Sequence, residues 1–181
     1  YHLVYSGRAK CANYDLSRWQ RRRAINLIIE LSVDWRKRKI PTQVLSVDNF
    51  SDAVIILNYI RKKKPKDYSS TLDLLKRQGG CPAGKRILSI DHKGYLHPCQ
   101  FWQDYRLADL KRESILDFLN NGKFFESWKT KLKGRCAICK YQVFCGGCRV
   151  RAYQVYKDFW QEDPACGLRE SEISDETHLL E

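Results

Sequence analysis

The sequence predicts an α/β fold joined to a cysteine-rich part, and two observations support this prediction. In residues 1–80, short apolar segments alternate with longer segments whose apolar residues recur at helical spacing. Strands that alternate with helices usually pair in parallel. After Gly80 the pattern changes to a hairpin signal followed by closely spaced cysteines. We therefore expect an α/β part at residues 1–80, a cysteine-rich domain at residues 81–168, and an acidic, peripheral tail at residues 169–181.

The elements of the first part follow from local signals. Ile25, Ile28 and Leu31 recur at helical spacing, and Asp15 or Ser17 can cap the helix that they form. In chain order, the predicted elements are a strand at 1–5, a helix from 15 or 17 to just before 41, a short buried strand at 44–47, a helix at 52–64, and a helix at 70–78 that Gly79 ends.

The elements of the second part begin with a β-hairpin. Residues 86–90 and 95–98 flank a polar turn at 91–94, and this hairpin would bring Cys81 and Cys99 together. Helices are then predicted at 114–119, 124–132 and about 147–159. The last of these begins at Cys148, where the partial positive charge of a helix N-terminus would favour an anionic group.

Seven of the eight cysteines lie in this second part, and their spacing predicts a metal centre. Two CxxC turns, at 136–139 and 145–148, can each present two thiolates to one centre, and Gly146 and Gly147 let the backbone pass close to it. Only five residues separate the turns, whereas a zinc ribbon usually has roughly 12 to 20 residues between its ligand pairs. The spacing therefore favours an iron–sulfur cluster, with zinc as the alternative.

A disulfide framework is a further alternative because the number of cysteines is even. The first residues, Tyr1-His-Leu-Val-Tyr5, lack the basic and long apolar regions of a signal peptide, and disulfides are rare in reducing compartments. We therefore expect a cytoplasmic protein with reduced thiols. No apolar run reaches the roughly 18 residues that span a bilayer. Cys11 stands apart from the other seven cysteines and is interpreted as a small buried hydrophobic residue.

The cysteine pattern resembles the SPASM auxiliary-cluster domain of radical S-adenosylmethionine enzymes. The pattern consists of Cys81, twelve residues, Gly94, four residues, Cys99, then Cys136, Cys139, Cys145 and Cys148, and finally Cys166. Other segments resemble the branch that modifies tetrapyrroles in heme d1 biosynthesis and in the siroheme-dependent heme pathway, notably the 12,18-didecarboxysiroheme deacetylase. These segments are 1–8, 45–49, 79–80, 97–102, 132–136, 149–152 and 163–166.

Position by position, the resemblance implies two ligand sets. Cys81, Cys99 and Cys148 would ligate a first auxiliary 4Fe–4S cluster, and Cys136, Cys139, Cys145 and Cys166 would ligate a second. With three thiolates, the first cluster would have an open iron for substrate, water or a side chain such as His97. The chain departs from the family in lacking a cysteine shortly before Cys81 and in having CxxC where CxxxC is usual. Spacing alone leaves open whether one or two clusters form.

The resemblance also implies an enzyme of which this chain is the C-terminal part. Residues 1–80 would be the last strands and helices of a partial (β/α) barrel. The CxxxCxxC loop of the catalytic cluster does not occur in the 181 residues, so that cluster and S-adenosylmethionine would belong to a missing N-terminal half, and the chain should be inactive alone. The implied function is modification of a siroheme-derived tetrapyrrole, with electrons supplied by a donor such as ferredoxin or flavodoxin.

Two other functions are alternatives. One is a SPASM maturase that acts on a peptide or protein, and the other is a non-enzymatic metal-binding module that contacts nucleic acid. The formal net charge of +12 favours an anionic partner. The basic runs at 21–23, 36–39 and 61–64 lie near predicted helix ends, where a solvated surface explains them better than nucleic acid does. A carboxylate-rich tetrapyrrole is the preferred partner, and Arg8, Arg149 and Arg151 are its candidate contacts.

Overall fold

The computed structural model describes residues 3–11, 15–46, 49–121 and 131–174. The α-helices are α1 (Arg18–Lys37), α2 (Phe50–Lys63), α3 (Tyr68–Gln78), α4 (Ile115–Asn121), α5 (Arg135–Ile138), α6 (Arg149–Tyr156) and α7 (Glu170–Ile173). The strands are β1 (Ser89–Ile90), β2 (Tyr95–His97) and β3 (Ala108–Asp109), and 3-10 turns span Gly7–Cys11 and Pro65–Asp67. In the described part of the chain, no helix is both long enough and apolar enough to cross a membrane.

The first long helix, α1, confirms the prediction and resolves its capping residue. The Ser17 hydroxyl accepts a hydrogen bond from the Gln20 backbone N–H at 3.3 Å, and the Gln20 side chain accepts one from the Ser17 N–H at 2.9 Å. This reciprocal pair is a capping box. Asp15 instead accepts hydrogen bonds from the side chains of Tyr5 and Arg21.

The two following helices are also confirmed. α2 places Val54, Ile55 and Leu57 in the core, and α3 ends where Gly79 adopts the left-handed conformation, with φ of 66°. That conformation lets the Gly79 N–H reach the Leu75 carbonyl at 2.9 Å. The basic runs at 36–39 and 61–64 are exposed at the C-terminal ends of α1 and α2, in agreement with a solvated surface. In the run at 21–23 that prediction is wrong for Arg21, which is buried and paired with Asp15.

The predicted strands of the first part are wrong where they are described. Residues 3–6 and 40–46 have no regular structure, and Val44 and Leu45 are 39% and 77% exposed rather than buried. Residues 1, 2 and 47 lie outside the described ranges. The predicted parallel pairing is likewise not seen, because the sheet of the described chain is antiparallel. An apolar segment forms a strand only when a neighbouring strand accepts its backbone hydrogen bonds, and 3–6 and 40–46 have no such neighbour among the described residues.

The predicted hairpin is present and has a third strand. β1 pairs with β2 in the register Ile90 to Leu96, and β2 pairs with β3 in the register Leu96 to Ala108. The Asp91 carboxylate closes the turn by accepting hydrogen bonds from the N–H groups of Lys93 and Tyr95 at 2.8 and 2.9 Å. β3 was not predicted because two residues carry too little pattern.

The later helices agree in part with the prediction. The segment at 114–119 forms α4, and the predicted helix at 147–159 forms the shorter α6, whose N-cap is Cys148. The helix predicted at 124–132 falls almost entirely on residues 122–130, which lie outside the described ranges. The four-residue helices α5 and α7 were not predicted.

One hydrophobic core joins the two halves of the chain. Ile25 and Ile29 of α1 and Val54 of α2 pack in the same cluster as Cys139 and Cys145 of the cysteine-rich loops. Residues 169–174 also belong to this body, which corrects the expectation of a peripheral tail. Ile173 is only 1% exposed, and Arg22 holds Glu172 through two hydrogen bonds of 2.7 and 2.8 Å.

Candidate metal centre

Four of the seven cysteines line one cavity, which we call the four-cysteine cavity. Its thiols come from α5 and the loop after it, from the glycine turn before α6, and from the segment before α7; they are Cys136, Cys139, Cys145 and Cys166. Charged and polar side chains also line it, among them Arg135, Glu162, Asp163 and Gln142. The set of thiols is the one that the resemblance implied for the second cluster.

The other three cysteines line a separate cavity, the three-cysteine cavity. Cys81 and Cys99 come from either end of the hairpin region, and Cys148 is the N-cap of α6. The rest of the lining is almost wholly apolar: Val4, Phe50, Pro82, Ala83, Ile87, Phe101 and Val150, with Gln100. The resemblance implied this set of thiols for the first cluster, and a further cavity between the two sets is lined by Cys81 and Cys145.

Burial governs the chemistry of these thiols. All seven are free, and five of them are only 7–8% exposed. Burial raises the pKa of Cys136, Cys139 and Cys145, and it raises the pKa of Cys166 to about 11. A hydrogen bond with Cys81, together with burial, raises the pKa of Cys148. Such thiols stay protonated at neutral pH unless a cation displaces the proton, which is what metal binding does.

The arrangement of the donors fits a multi-iron cluster. Among the described residues, no group of three or more His, Cys, Asp or Glu side chains converges on a site for a single metal ion. A tetrahedral zinc site with Zn–S bonds near 2.3 Å holds its sulfurs roughly 4 Å apart. In a 4Fe–4S cluster each thiolate binds a different iron, so four cysteines are needed to ligate the cluster completely, and four line this cavity.

Two glycines bring the backbone close enough to form the cavities. A Cβ on Gly80, where φ is 71°, would lie 2.3 Å from the Cys145 carbonyl oxygen. A Cβ on Gly147, where φ is 65°, would lie 2.5 Å from the Asp163 Cβ. Atoms do not approach this closely, so these positions require glycine both for conformation and for space.

A buried ion pair connects the loops of the two cavities. The Arg151 guanidinium donates to the Asp163 carboxylate at 2.9 and 2.7 Å, and both side chains are essentially inaccessible to solvent. Asp163 also accepts hydrogen bonds from the backbone N–H groups of Cys148, at 2.7 Å, and of Ala165, at 2.9 Å. The cation and the N–H groups outweigh burial and hold the pKa of Asp163 at about 2.

Arg149, two residues before Arg151 in α6, is buried and forms no ion pair with a carboxylate among the described residues. Its guanidinium donates to the carbonyl oxygens of Phe159 at 2.8 Å and Gln161 at 2.7 Å, and it lies 3.9 Å from the Cys136 sulfur. Its backbone N–H contributes a hydrogen bond to Cys81, which helps to lower the pKa of that thiol after the larger effect of Cys148. Arg149 therefore contacts cysteines of both cavities.

The burial of these arginines corrects one prediction about substrate contacts. Arg149 and Arg151 are both 0% exposed, so neither guanidinium can meet the carboxylates of an external ligand. Their helical spacing and charge gave no sign of burial because arginine is normally a surface residue. Arg8 is exposed, beside the segment that carries Val4 of the three-cysteine cavity, and its role stays a prediction.

His97 supports the hairpin and is not among the residues that line the three-cysteine cavity. Its Nδ1 lies 2.9 Å from the Tyr105 carbonyl oxygen and its Nε2 lies 3.3 Å from the Asp91 carboxylate.

Sequence reasoning missed the charged lining residues Arg135 and Asp163. The available signal for Asp163 was its position just before Pro164-Ala165-Cys166, where an acidic residue can accept the N–H groups of a tight turn.

Comparison with known proteins agrees with this site. Residues 81–149 match SPASM, an iron–sulfur cluster-binding domain. The resemblance predicted from the sequence is confirmed. A match of 34% identity over 96% of the chain relates it to the Fe-coproporphyrin III synthase of Methanosarcina barkeri. The pre-heme d1 synthase of Dinoroseobacter shibae is 32% identical over 98% of the chain.

A third relative matches a smaller part of the chain. The AdoMet-dependent heme synthase of Methanosarcina barkeri is 29% identical over 50% of the chain. The chain spans 46% of the length of the first two relatives and 26% of the third. No solved structure matches the chain significantly.

Proposed function

We propose that the chain is the C-terminal part of a radical S-adenosylmethionine enzyme that modifies a siroheme-derived tetrapyrrole in heme or heme d1 biosynthesis. The observation that carries the proposal is the division of seven cysteines between a four-cysteine and a three-cysteine cavity. Two relatives that match nearly the whole chain are named for Fe-coproporphyrin III and for pre-heme d1. Both names denote enzymes of tetrapyrrole synthesis.

In this proposal each cavity holds one auxiliary 4Fe–4S cluster. Cys136, Cys139, Cys145 and Cys166 ligate one cluster completely, whereas Cys81, Cys99 and Cys148 leave an iron open in the other. When bound, such clusters transfer single electrons, and an open iron can also take a ligand. The apolar lining of the three-cysteine cavity, including Phe50 and Phe101, excludes water from that position.

The other parts of the reaction belong to the full-length enzyme. S-adenosylmethionine and its catalytic cluster need a CxxxCxxC loop, which does not occur in these 181 residues, so the chain is inactive alone. The described part of residues 1–80 contributes helices α1, α2 and α3 to that enzyme, which is cytoplasmic. A ferredoxin or flavodoxin supplies electrons. Arg8, which is exposed near Val4 of the three-cysteine cavity, contacts a substrate carboxylate.

The test is the content of iron, acid-labile sulfide and zinc after anaerobic reconstitution. We expect about eight iron and about eight sulfide per chain, the content of two 4Fe–4S clusters. About four of each would reduce the proposal to one cluster. Stoichiometric zinc without sulfide would overturn it in favour of a metal-binding module.

A separate titration tests the substrate class. The iron-loaded chain is titrated with Fe-coproporphyrin III and followed by the absorption spectrum of the porphyrin. Saturable binding that Arg8→Gln weakens by about tenfold, the effect of roughly 1.4 kcal/mol, supports the tetrapyrrole assignment. Binding that is absent in the iron-loaded chain counts against it.

A further inference from the structure

Arg149 forms no ion pair with a carboxylate in the described part of the chain; Asp158, whose pKa is lowered mainly by Lys133 and less by the charge of Arg149, is paired with Lys133 at 2.6 Å. Arg149 is 0% exposed, its Nη1 donates to two backbone carbonyls, and its Nε has no hydrogen-bond partner. A buried cation is strongly unfavourable unless an anion lies close to it. The Cys136 sulfur, which becomes an anion when it binds a metal, lies 3.9 Å from Nη2.

Two other arginines of this region are paired with carboxylates. Arg151 is equally buried, but its Nη2 lies 2.7 Å from the Asp163 carboxylate. Arg135 lines the four-cysteine cavity, and its Nε lies 2.8 Å from a carboxylate oxygen of the exposed Glu170. Arg149 thus differs from both in being directed at a thiol, and a thiolate bound to iron would provide the missing negative charge.

We propose that Arg149 is the buried counter-charge of the cluster in the four-cysteine cavity, where its guanidinium donates a hydrogen bond to the Cys136 thiolate. This inference rests on the proposed function. Reduction adds negative charge to a cluster, and a nearby cation and N–H group stabilise the more negative state. Arg149 therefore raises the reduction potential of this cluster, as a positioning residue that acts through Cys136.

The same residue has a weaker effect on the other cavity. Its hydrogen bond to Cys81 is made by the backbone N–H, which every substitution except proline retains, and the charge of its side chain adds only a smaller effect on that thiol. Replacement of the side chain should therefore shift the potential of the four-cysteine cluster much more than that of the three-cysteine cluster. This asymmetry distinguishes a specific contact from general loosening of the fold.

The experiment is a redox titration of the reconstituted chain, monitored by electron paramagnetic resonance. We expect Arg149→Gln to bind the wild-type amount of iron while one cluster potential becomes more negative, and Arg149→Lys to restore part of the shift. Arg135→Gln is the matched control, because it removes a charge from the same cavity that Glu170 already balances, and it should shift the potential less. Iron-loaded Arg149→Gln with unchanged potentials would overturn the inference.

A measurement on the wild-type chain keeps the inference testable if Arg149→Gln does not fold. Chain labelled with guanidino-15N arginine is reduced and examined by pulsed paramagnetic resonance. A 15N coupling to the cluster, absent in Arg149→Lys labelled in the same way, supports the contact with Cys136, and no coupling overturns it. A chain that binds no iron at all contradicts the proposed function instead, so the two failures are distinguishable.

Discussion

The two cysteine-lined cavities have similar ligands but different neighbouring side chains. The four-cysteine cavity is lined by Arg135, Glu162 and Asp163, and Arg149 approaches one of its thiols. The three-cysteine cavity is lined by apolar side chains and has one thiol fewer. Charged groups and hydrogen bonds tune and brace a buried centre, whereas an apolar pocket with an open position suits access by a ligand. Under the proposed function, the charged neighbours bear on electron transfer at the first cavity, and the missing thiol bears on ligand binding at the second.

The largest effect should come from removing one thiol of each cavity in turn. If the cavities are separate cluster sites, Cys145→Ala and Cys99→Ala should each lower the iron content by about half, because each cluster holds about four irons. Cys145 is a buried part of the main core, so its loss should also lower the stability of the loaded protein more than loss of the partly exposed Cys99. Iron analysis and urea unfolding measure the two quantities.

Cys139→Ala provides a second test of the four-cysteine cavity. It should reproduce the iron loss and destabilisation of Cys145→Ala, since both thiols line the same space. Loss of all iron from both Cys145→Ala and Cys99→Ala would show that the two sets of cysteines share one cluster. The two cavities would then not be separate cluster sites.

Asp163→Asn should affect both cavities at once. Its carboxylate holds the N–H groups of Cys148 and Ala165 and pairs with Arg151, so the change leaves a buried cation unbalanced. Removal of one partner from a buried ion pair typically costs about 3–5 kcal/mol. Urea unfolding should give a destabilisation of this size, and iron should fall in both sites.

The control for this prediction removes the cation as well. In Asp163→Asn combined with Arg151→Met, no unpaired charge remains, so part of the lost stability should return. A double variant that is as unstable as the sum of the two single variants would assign the effect to the backbone contacts of Asp163 rather than to the ion pair.

The features that could be predicted from the sequence depend on contacts between residues close in the chain. Those that could not be predicted depend on contacts between distant segments. Helix α1 and the hairpin were predictable because Ser17, Gln20 and Asp91 act on neighbours within four residues. The grouping of the cysteines depended on the resemblance, since spacing alone left it open. The pairing of Arg22 with Glu172 and the burial of Arg149 depend on contacts between distant segments, for which no local pattern exists. The strand predictions failed for the same reason, because strands need distant partners.

Adjacent glycines permit a finer test of the space between the cavities. Gly146 and Gly147 have nearly the same φ, 62° and 65°, but a Cβ on Gly146 would meet its nearest neighbour at 3.7 Å and one on Gly147 at 2.5 Å. Both alanine variants should lose about 1–2 kcal/mol from the left-handed conformation. Gly147→Ala should lose about a further 1–3 kcal/mol from the overlap with Asp163. Equal destabilisation of the two variants in urea would contradict the close approach of the loops.

The smallest effect should come from the ion pair that holds α7 against the four-cysteine side of the molecule. Despite its partial burial, Glu172 has its pKa lowered from the ordinary value of 4.5 by hydrogen bonds from Arg22 and the Arg169 N–H and by the charge of Arg22. A carboxyl whose folded pKa is lowered contributes stability above its unfolded pKa and loses that contribution as the pH falls through the folded value. The contribution should therefore be complete above about pH 5 and decline below pH 4.5.

Unfolding of the protein as a function of pH between about 3 and 6 measures this contribution. Because the side chains of Arg22 and Glu172 are only 14% and 18% exposed, the pair should contribute somewhat more than a surface ion pair. Glu172→Gln should therefore destabilise the protein by about 1 kcal/mol at pH 6, and the difference from wild type should shrink as the pH falls. Arg22→Gln should behave alike, since it removes the partner. Arg18→Gln is the control, because its contact with Glu170 joins two largely exposed side chains at 3.3 Å and should contribute less. A pH-independent difference for Glu172→Gln would assign its effect to packing rather than to the charge of Glu172.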